Sequence, residues 1–442
     1  MTAAAPDPDD SRAADWPKLF TIGFMYMAQT FPAGFVMSLI PTLFRKNGLP
    51  LESFWVFSLP TIPYWIRWAW GPVVDTWWWR PLGRRRSWFV PCTVAAMLAY
   101  MSLALFEPTE RFLVLITMVL ILKSVFTSVQ EVAIDAYVVD YTTARERPKA
   151  AGINTAFEAI GQMAALSGLA IVFDTYGWRP TVILASFLML LFLLPAFFRK
   201  EHLPADAERA ALERRGAGVG ALVLPFRRFI GRPDTRIILP VVISGGLFTG
   251  ALFPMIGPFL IDTGFSVTRV GVVTGAVLLA ATVTGAATAA YLCDRLGPRT
   301  VNRFLAFTTP LFFAPITIAQ LRGHEYDVVS AFVLLVLPTF NLAVFYVTWV
   351  NLRLGFASVI QAGTDYSISS ALSRIGQTAA AAGAGFVAAK VAWSGYFIAV
   401  ACLGIAAMAI AWMTHDRLQM LVAKRNAEEM ETGFPAGERS MA

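Results

Sequence analysis

The sequence predicts an all-α membrane protein, with twelve transmembrane helices in two pseudo-symmetric six-helix bundles. Three observations carry this expectation. Hydrophobic residues make up 57% of the 442-residue chain and charged residues only 15%, whereas a soluble domain carries roughly 25% charged residues. Long apolar stretches recur along the whole chain, many able to cross ~30 Å of hydrocarbon, a solvent in which only internally hydrogen-bonded segments survive. The second half also repeats short sequences of the first at a near-constant offset.

Taken in order, residues 1–17 hold four aspartates and no apolar core. They read as a cytoplasmic tail, not a signal peptide. Spans near 18–44, 53–74, 87–106, 112–139, 150–173 and 180–198 make the N-terminal bundle, 18–198. Residues 199–236 are polar, carry Pro204, Pro225 and Pro233, and read as a cytoplasmic linker. Spans near 237–261, 270–293, 304–321, 328–352, 366–389 and 391–413 make the C-terminal bundle, 237–413, and 414–442 is a cytoplasmic tail. Pro60 and Pro63 are expected to kink or open the second span by removing backbone donors. Tryptophans at span ends, such as Trp55, Trp77 and Trp178, read as interfacial anchors.

The net charge of +7 sits in short loops between apolar segments, which argues against nucleic acid as partner. With the N-terminus inside, the inner loops carry 20 Lys and Arg and the outer loops 7. This bias places both termini in the cytoplasm of a multi-pass inner-membrane protein. Cys92, Cys293 and Cys402 lie in apolar segments without metal-ligand spacing, so no metal or cofactor is expected. His202, His324 and His415 fall in loops, which counts against a membrane-embedded enzyme. No phosphate-binding P-loop is present, so ATP is not the direct energy source.

The internal repeat is specific. Ile160-Gly161-Gln162 falls on Ile375-Gly376-Gln377 at an offset of 215, and Gly168 falls on Gly383. Ile40 to Gly48 corresponds to Ile256 to Gly264 at 216, and Asp75 to Asp294 at 219. Parallel six-span repeats imply a site near the midplane between the halves.

Gly71-Pro72-Val73-Val74-Asp75, followed by Gly83-Arg84-Arg85-Arg86, and Asp294-Arg295 with Gly297 and Arg299 both resemble the loop motif of the major facilitator superfamily. The first copy has a Trp-rich insertion, and the second has Ala290 where glycine is usual. The resemblance implies a cytoplasmic latch of Asp75, Arg84, Arg85, Arg86, Asp140 and Arg147, with Asp294 and Arg295 in the second half. Ser128 to Ala136, then Asp140, Glu146-Arg147 and Ala151-Gly152, resembles the AmpG muropeptide permeases and their acetyl-CoA transporter relatives, with Glu131 in place of an aspartate. Gln361 to Ser367 is more similar to the RhtX/FptX siderophore permeases. The length and span count fit that branch, which implies siderophore uptake. Muropeptide import and drug-type export are the alternatives.

An ionisable residue inside a span costs several kcal/mol unless it is paired or faces water, so each is a candidate. Lys123, Thr127, Glu131 and Asp135 recur every fourth residue and form one stripe. Glu131 and Asp135 are the expected proton carriers, with Glu158 in reserve. Substrate contacts are expected from Arg67, Asn154, Glu158, Gln162, Asn341, Tyr346, Arg374 and Gln377. Arg374 stands where the repeat-related residue is Ala159, so the pseudo-symmetry does not demand it. Its fork can hold a carboxylate, or it pairs with Glu158 or Glu131. The expected partners are a small-molecule solute, protons and the bilayer, acting on a monomer.

Overall fold

A computed structural model describes residues 15–142, 147–198, 227–356 and 362–432. Among the described residues there is no strand. Helix α1, Trp16–Lys46, starts under the side chain of Asp15, which accepts from the Lys18 N–H at 3.0 Å. It widens to a π-turn at Phe35–Leu39, one turn after Pro32. Helix α2 runs as a 3-10 helix over Leu51–Ile66 and becomes α-helical at Arg67–Thr76. Such long 3-10 runs are uncommon. Here Pro60 and Pro63 remove N–H donors, and Thr61 Oγ1 ties back to Ser58 O at 2.6 Å.

Helices α3 (Arg86–Ser102), α4 (Leu113–Tyr141), α5 (Arg147–Met163, continuing to Tyr176 through a π-turn at Ala164–Gly168) and α6 (Trp178–Phe198) complete the first half. The second half begins with α7 (Thr235–Asp262). The helix Val267–Leu321 breaks at Gly297 into α8 (267–296) and α9 (298–321). Then come α10 (Val328–Phe356) and the stretch Ala362–Thr432, broken at Ala392 into α11 (362–391) and α12 (393–432).

Nine stretches among the described residues are long and apolar enough to cross a membrane, fewer than the twelve expected. Two of the nine each hold a pair of helices joined at a non-helical residue, Gly297 or Ala392, and α2 is divided between 3-10 and α geometry. Helix α12 runs past residue 413 to Thr432 and includes His415. Arg425 holds it down, donating to Asp234 at the start of α7 and to Phe356 O at the end of α10.

The repeat has a physical counterpart. A Cβ at Gly161 would lie 3.3 Å from Met27 O, and one at Gly376 would lie 2.6 Å from Ile243 O. Met27 and Ile243 are themselves 216 apart. Left-handed backbone recurs in register at Gly48 and Gly264, at Gly83 and Gly297, and at Gly177 and Ala392.

The halves meet through α1 with α7, α2 with α11, and α5 with α8. Their hydrogen bonds among the described residues lie in the part of the molecule away from the termini. Arg45 holds Asp262 with two bonds, at 2.6 and 2.9 Å. Asp174 accepts from the Thr268 N–H at 2.8 Å and hydroxyl at 2.6 Å, and Ser167 Oγ donates to Gly271 O at 3.0 Å. Thr61 and Thr378 share a hydrogen bond at 2.5 Å. Gly385 meets Leu51 O and Gly257 meets the Thr42 hydroxyl so closely that a Cβ would collide.

Candidate functional site

The Thr61–Thr378 contact is the floor of a polar region between the halves. Trp65 Nε1 also donates to Thr378 Oγ1, at 3.2 Å. One helical turn toward the termini, Arg374 of α11 lies with its Cζ 5.2 Å from the Tyr64 ring of α2. The Tyr64 hydroxyl is hydrogen-bonded to Thr127 Oγ1 at 2.7 Å.

The N-terminal wall is acidic. Arg67, at the 3-10 to α transition of α2, donates from Nη1 to Glu131 at 3.2 Å and from Nη2 to Asp135 at 2.7 Å. Tyr26 of α1 donates to the other Asp135 oxygen at 2.9 Å. The stripe on α4 is therefore real, but both carboxylates expected to carry the proton are held by one guanidinium. Lys123, 3% exposed, sets its ammonium 5.5 Å from the Tyr100 ring and pairs with neither carboxylate.

Glu158 of α5 is the third carboxylate on this wall. Its side chain has no hydrogen-bond or ion-pair partner among the described residues. It lies close enough to feel the charges of Asp135, Glu131 and, across the interface, Arg374. No ion pair joins Glu158 or Glu131 to Arg374, and its guanidinium has no acceptor among the described residues.

The C-terminal wall is cationic. Beside Arg374 it carries Tyr346, whose side chain is 47% exposed in the middle of α10 and lies within the electrostatic reach of Arg353, Arg374 and Glu158. Gln377 is half-buried and donates to Thr249 Oγ1 at 3.3 Å. Asn154 and Gln162 are half-buried on α5, and Asn154 Oδ1 has no partner among the described residues.

Asn341 does not belong to this region. It is fully buried inside the C-terminal half, where Thr309 Oγ1 faces its Oδ1 at 3.3 Å, so its face of α10 packs against α9. Trp349 is likewise core: Nε1 donates to Val241 O at 3.0 Å. Sequence reasoning missed Arg353. The span boundary at 352 leaves it outside the tenth helix, yet it lies within α10 and is 4% exposed. Tyr26 and Tyr64 were also missed; nothing in local sequence marks them as partners of α4.

Of the expected latch, the side chains of Asp75, Asp140 and Arg147 lie outside the described residues. Arg85 is buried, Arg84 lies over Trp78, and Arg86 Nη2 donates to Ala196 O at 2.8 Å and Phe197 O at 2.9 Å, tying α3 to α6. In the second half Asp294 and Arg295 are exposed and make no mutual ion pair. Arg295 lies over Tyr291, and the neighbouring Arg299 pairs with Asp416 at 2.6 Å.

The Major Facilitator Superfamily matches residues 19–354. The chain is 22% identical over 431 residues to the anhydromuropeptide permease of Escherichia coli strain K12, covering 95% of this chain and 83% of that protein. A Rickettsia conorii protein named as an AmpG transporter is 21% identical over 291 residues, 63% of this chain and 68% of that one. A POT family transporter solved with a thioalcohol-conjugated peptide superposes with a TM-score of 0.68 at 12% identity, covering 90% of this chain and 96% of that one. A D-xylose-proton symporter gives 0.63 at 15%, with the same coverage. These structural likenesses carry the fold.

Proposed function

Because this chain belongs to the major facilitator superfamily and is a multi-pass membrane transporter, we propose that it imports an anionic sugar–peptide of the muropeptide class together with protons. One observation carries the proposal: Arg374 of the C-terminal half and Glu158 of the N-terminal half lie within reach of each other's charge, and neither side chain has an ion-pair partner among the described residues.

The substrate class follows from two lines. The chain resembles the anhydromuropeptide permease over nearly its whole length, and Arg374 offers a carboxylate a bidentate fork. The siderophore reading rests on chain length and span count and on Gln361 to Ser367, of which the first residue and the side chains of Ala362 to Thr364 lie outside the described residues. The full-length resemblance supports the muropeptide alternative instead.

Under the positive-inside bias the termini are cytoplasmic, so the closed end at Arg45–Asp262 is external and this conformation opens inward. Coupling then follows from charge. In the outward-open state a substrate carboxylate takes Arg374 and removes that cation from Glu158. A lone carboxylate is cheaper to enclose when protonated, so Glu158 takes a proton from outside as the halves close. After the inward opening, substrate leaves Arg374, and Glu158 releases its proton to the cytoplasm. Glu158 takes this role in place of Glu131 and Asp135, because those two are already paired with Arg67.

Reconstituted protein tests it. Glu158→Gln mimics the protonated acid, so it should lose substrate accumulation under an inward proton gradient and keep substrate exchange. Gradient-driven accumulation by that variant would show that the proton travels elsewhere.

A further inference from the structure

The charge that the site leaves unexplained is Arg353. Its guanidinium is packed between two rings, Trp349 at 4.7 Å and Tyr366 at 5.1 Å, and Nη2 donates to Ser370 Oγ. Nε is buried with no acceptor among the described residues. No carboxylate lies within ion-pair distance among them. Arg374 and Arg67, both cations, are near enough to act on it. The ring faces and the C-terminal end of α10 offset part of the charge, but rings give the N–H donors no acceptor. A buried guanidinium short of acceptors and near other cations is a costly arrangement unless an anion arrives.

Geometry says where that anion would lie. Ser370, which receives Arg353, is one turn from Arg374 on α11, about 6 Å along the helix axis. Tyr346, exposed, 5.8 Å from the Trp349 ring and within electrostatic reach of both arginines, places the same wall against open space. The C-terminal wall thus holds two cations in a ladder, and the acidic wall opposite offers Arg353 no partner.

We infer that Arg353 is a second anion subsite, and that the cavity selects solutes carrying two carboxylates about one helical turn apart. This rests on the proposed sugar–peptide reading and narrows it. The first carboxylate sits on Arg374, and the second displaces nothing, since Arg353 makes its bond to Ser370 from one nitrogen only.

The test is binding to the full-length protein in lipid nanodiscs, using two muramyl dipeptides. One ends in D-glutamate and has two free carboxylates; the other ends in D-isoglutamine and has one. The wild-type protein should bind the diacid at least about tenfold tighter, the effect of one charged hydrogen-bonded contact. Arg353→Gln should erase that preference by weakening the diacid alone, and Arg353→Lys should retain part of it. Equal wild-type affinity for the two probes overturns the inference, whatever the variants do. So does an equal loss for both probes in Arg353→Gln, which would mark a gate or a packing residue and leave the sugar–peptide reading standing. If the wild type binds neither probe, the sugar–peptide reading falls and the inference falls with it.

Discussion

Arg45 at the end of α1 grips Asp262 at the end of α7 through Nε and Nη2, and Asp262 occupies the repeat position of Lys46. Arg45 itself corresponds to Ile261, so the clasp joins positions one residue out of register in the repeat. Asp262 also accepts from Trp393 Nε1 at 3.0 Å, and Lys46 turns to Asp174 at 3.6 Å.

Breaking this clasp should favour the state open at the far end. The pair is partly exposed, so its worth is about 1 kcal/mol, roughly a fivefold shift between states. Arg45→Ala should raise the labelling rate of a cysteine placed at Thr61 by an impermeant thiol reagent from outside. The charge swap Arg45→Asp with Asp262→Arg should restore protection. Unchanged labelling in Arg45→Ala would mean that the glycine contacts alone hold the closure.

Those contacts make their own prediction. Gly385 lies against Leu51 O, with no room for a side chain. Gly385→Val should prevent the outer closure while leaving each half folded. Substrate should then bind from outside and fail to appear inside. Normal uptake by this variant would show that α2 and α11 need not approach this closely.

Arg67 is expected to be structural first. Removing it leaves Glu131 and the half-exposed Asp135 without their cation, and Glu131 is 7% exposed. Breaking a buried pair from one side costs about 3–5 kcal/mol, with less expected from the Asp135 arm because water reaches it. Arg67→Met should lower the thermal midpoint strongly. Arg67→Met combined with Glu131→Gln should recover much of that loss, since the orphaned charge is gone. A double variant as unstable as the single would mean that Arg67 acts through packing alone.

Much of the fold was legible because lipid leaves few options: apolar length gives helices, and near-equal offsets give the repeat that Gly161 on Met27 and Gly376 on Ile243 express in contacts. The site was partly legible for the same reason. Arg67, Glu131, Asp135, Glu158 and Arg374 stand out as charges inside apolar spans. What sequence could not supply was helix rotation and helix ends. Asn341 and Tyr346 lie on one helix, yet Asn341 faces the core and Tyr346 the opening. Arg353 fell one residue beyond a boundary drawn on hydropathy, which cannot see that Trp349 and Tyr366 would enclose it. Nor could it show that one arginine from α2 would hold both α4 carboxylates, since that depends on the 3-10 stretch that turns Arg67 toward α4.

The last prediction comes from a broken symmetry in the backbone. Gly177, between α5 and α6, has φ 81° and ψ −171°. Its repeat partner between α11 and α12 is Ala392, with φ 55° and ψ 175°. Glycine enters this region freely, but a Cβ makes it a strained conformation that costs of order 1–3 kcal/mol. It is the single positive-φ residue other than glycine among the described residues. The turn is enforced from both sides: Trp393 is tied to Asp262, and Tyr396 donates to Ala251 O, fixing the start of α12 on α7. Ala392→Gly should therefore stabilise the protein, because the relief of strain exceeds the extra freedom that glycine has when unfolded, about 0.4–1 kcal/mol. Ala392→Val should destabilise it, since a β-branched side chain is worse still at positive φ. Thermal unfolding in detergent reads both. A lower midpoint for Ala392→Gly would mean that the Ala392 methyl contributes more by packing than it costs in strain.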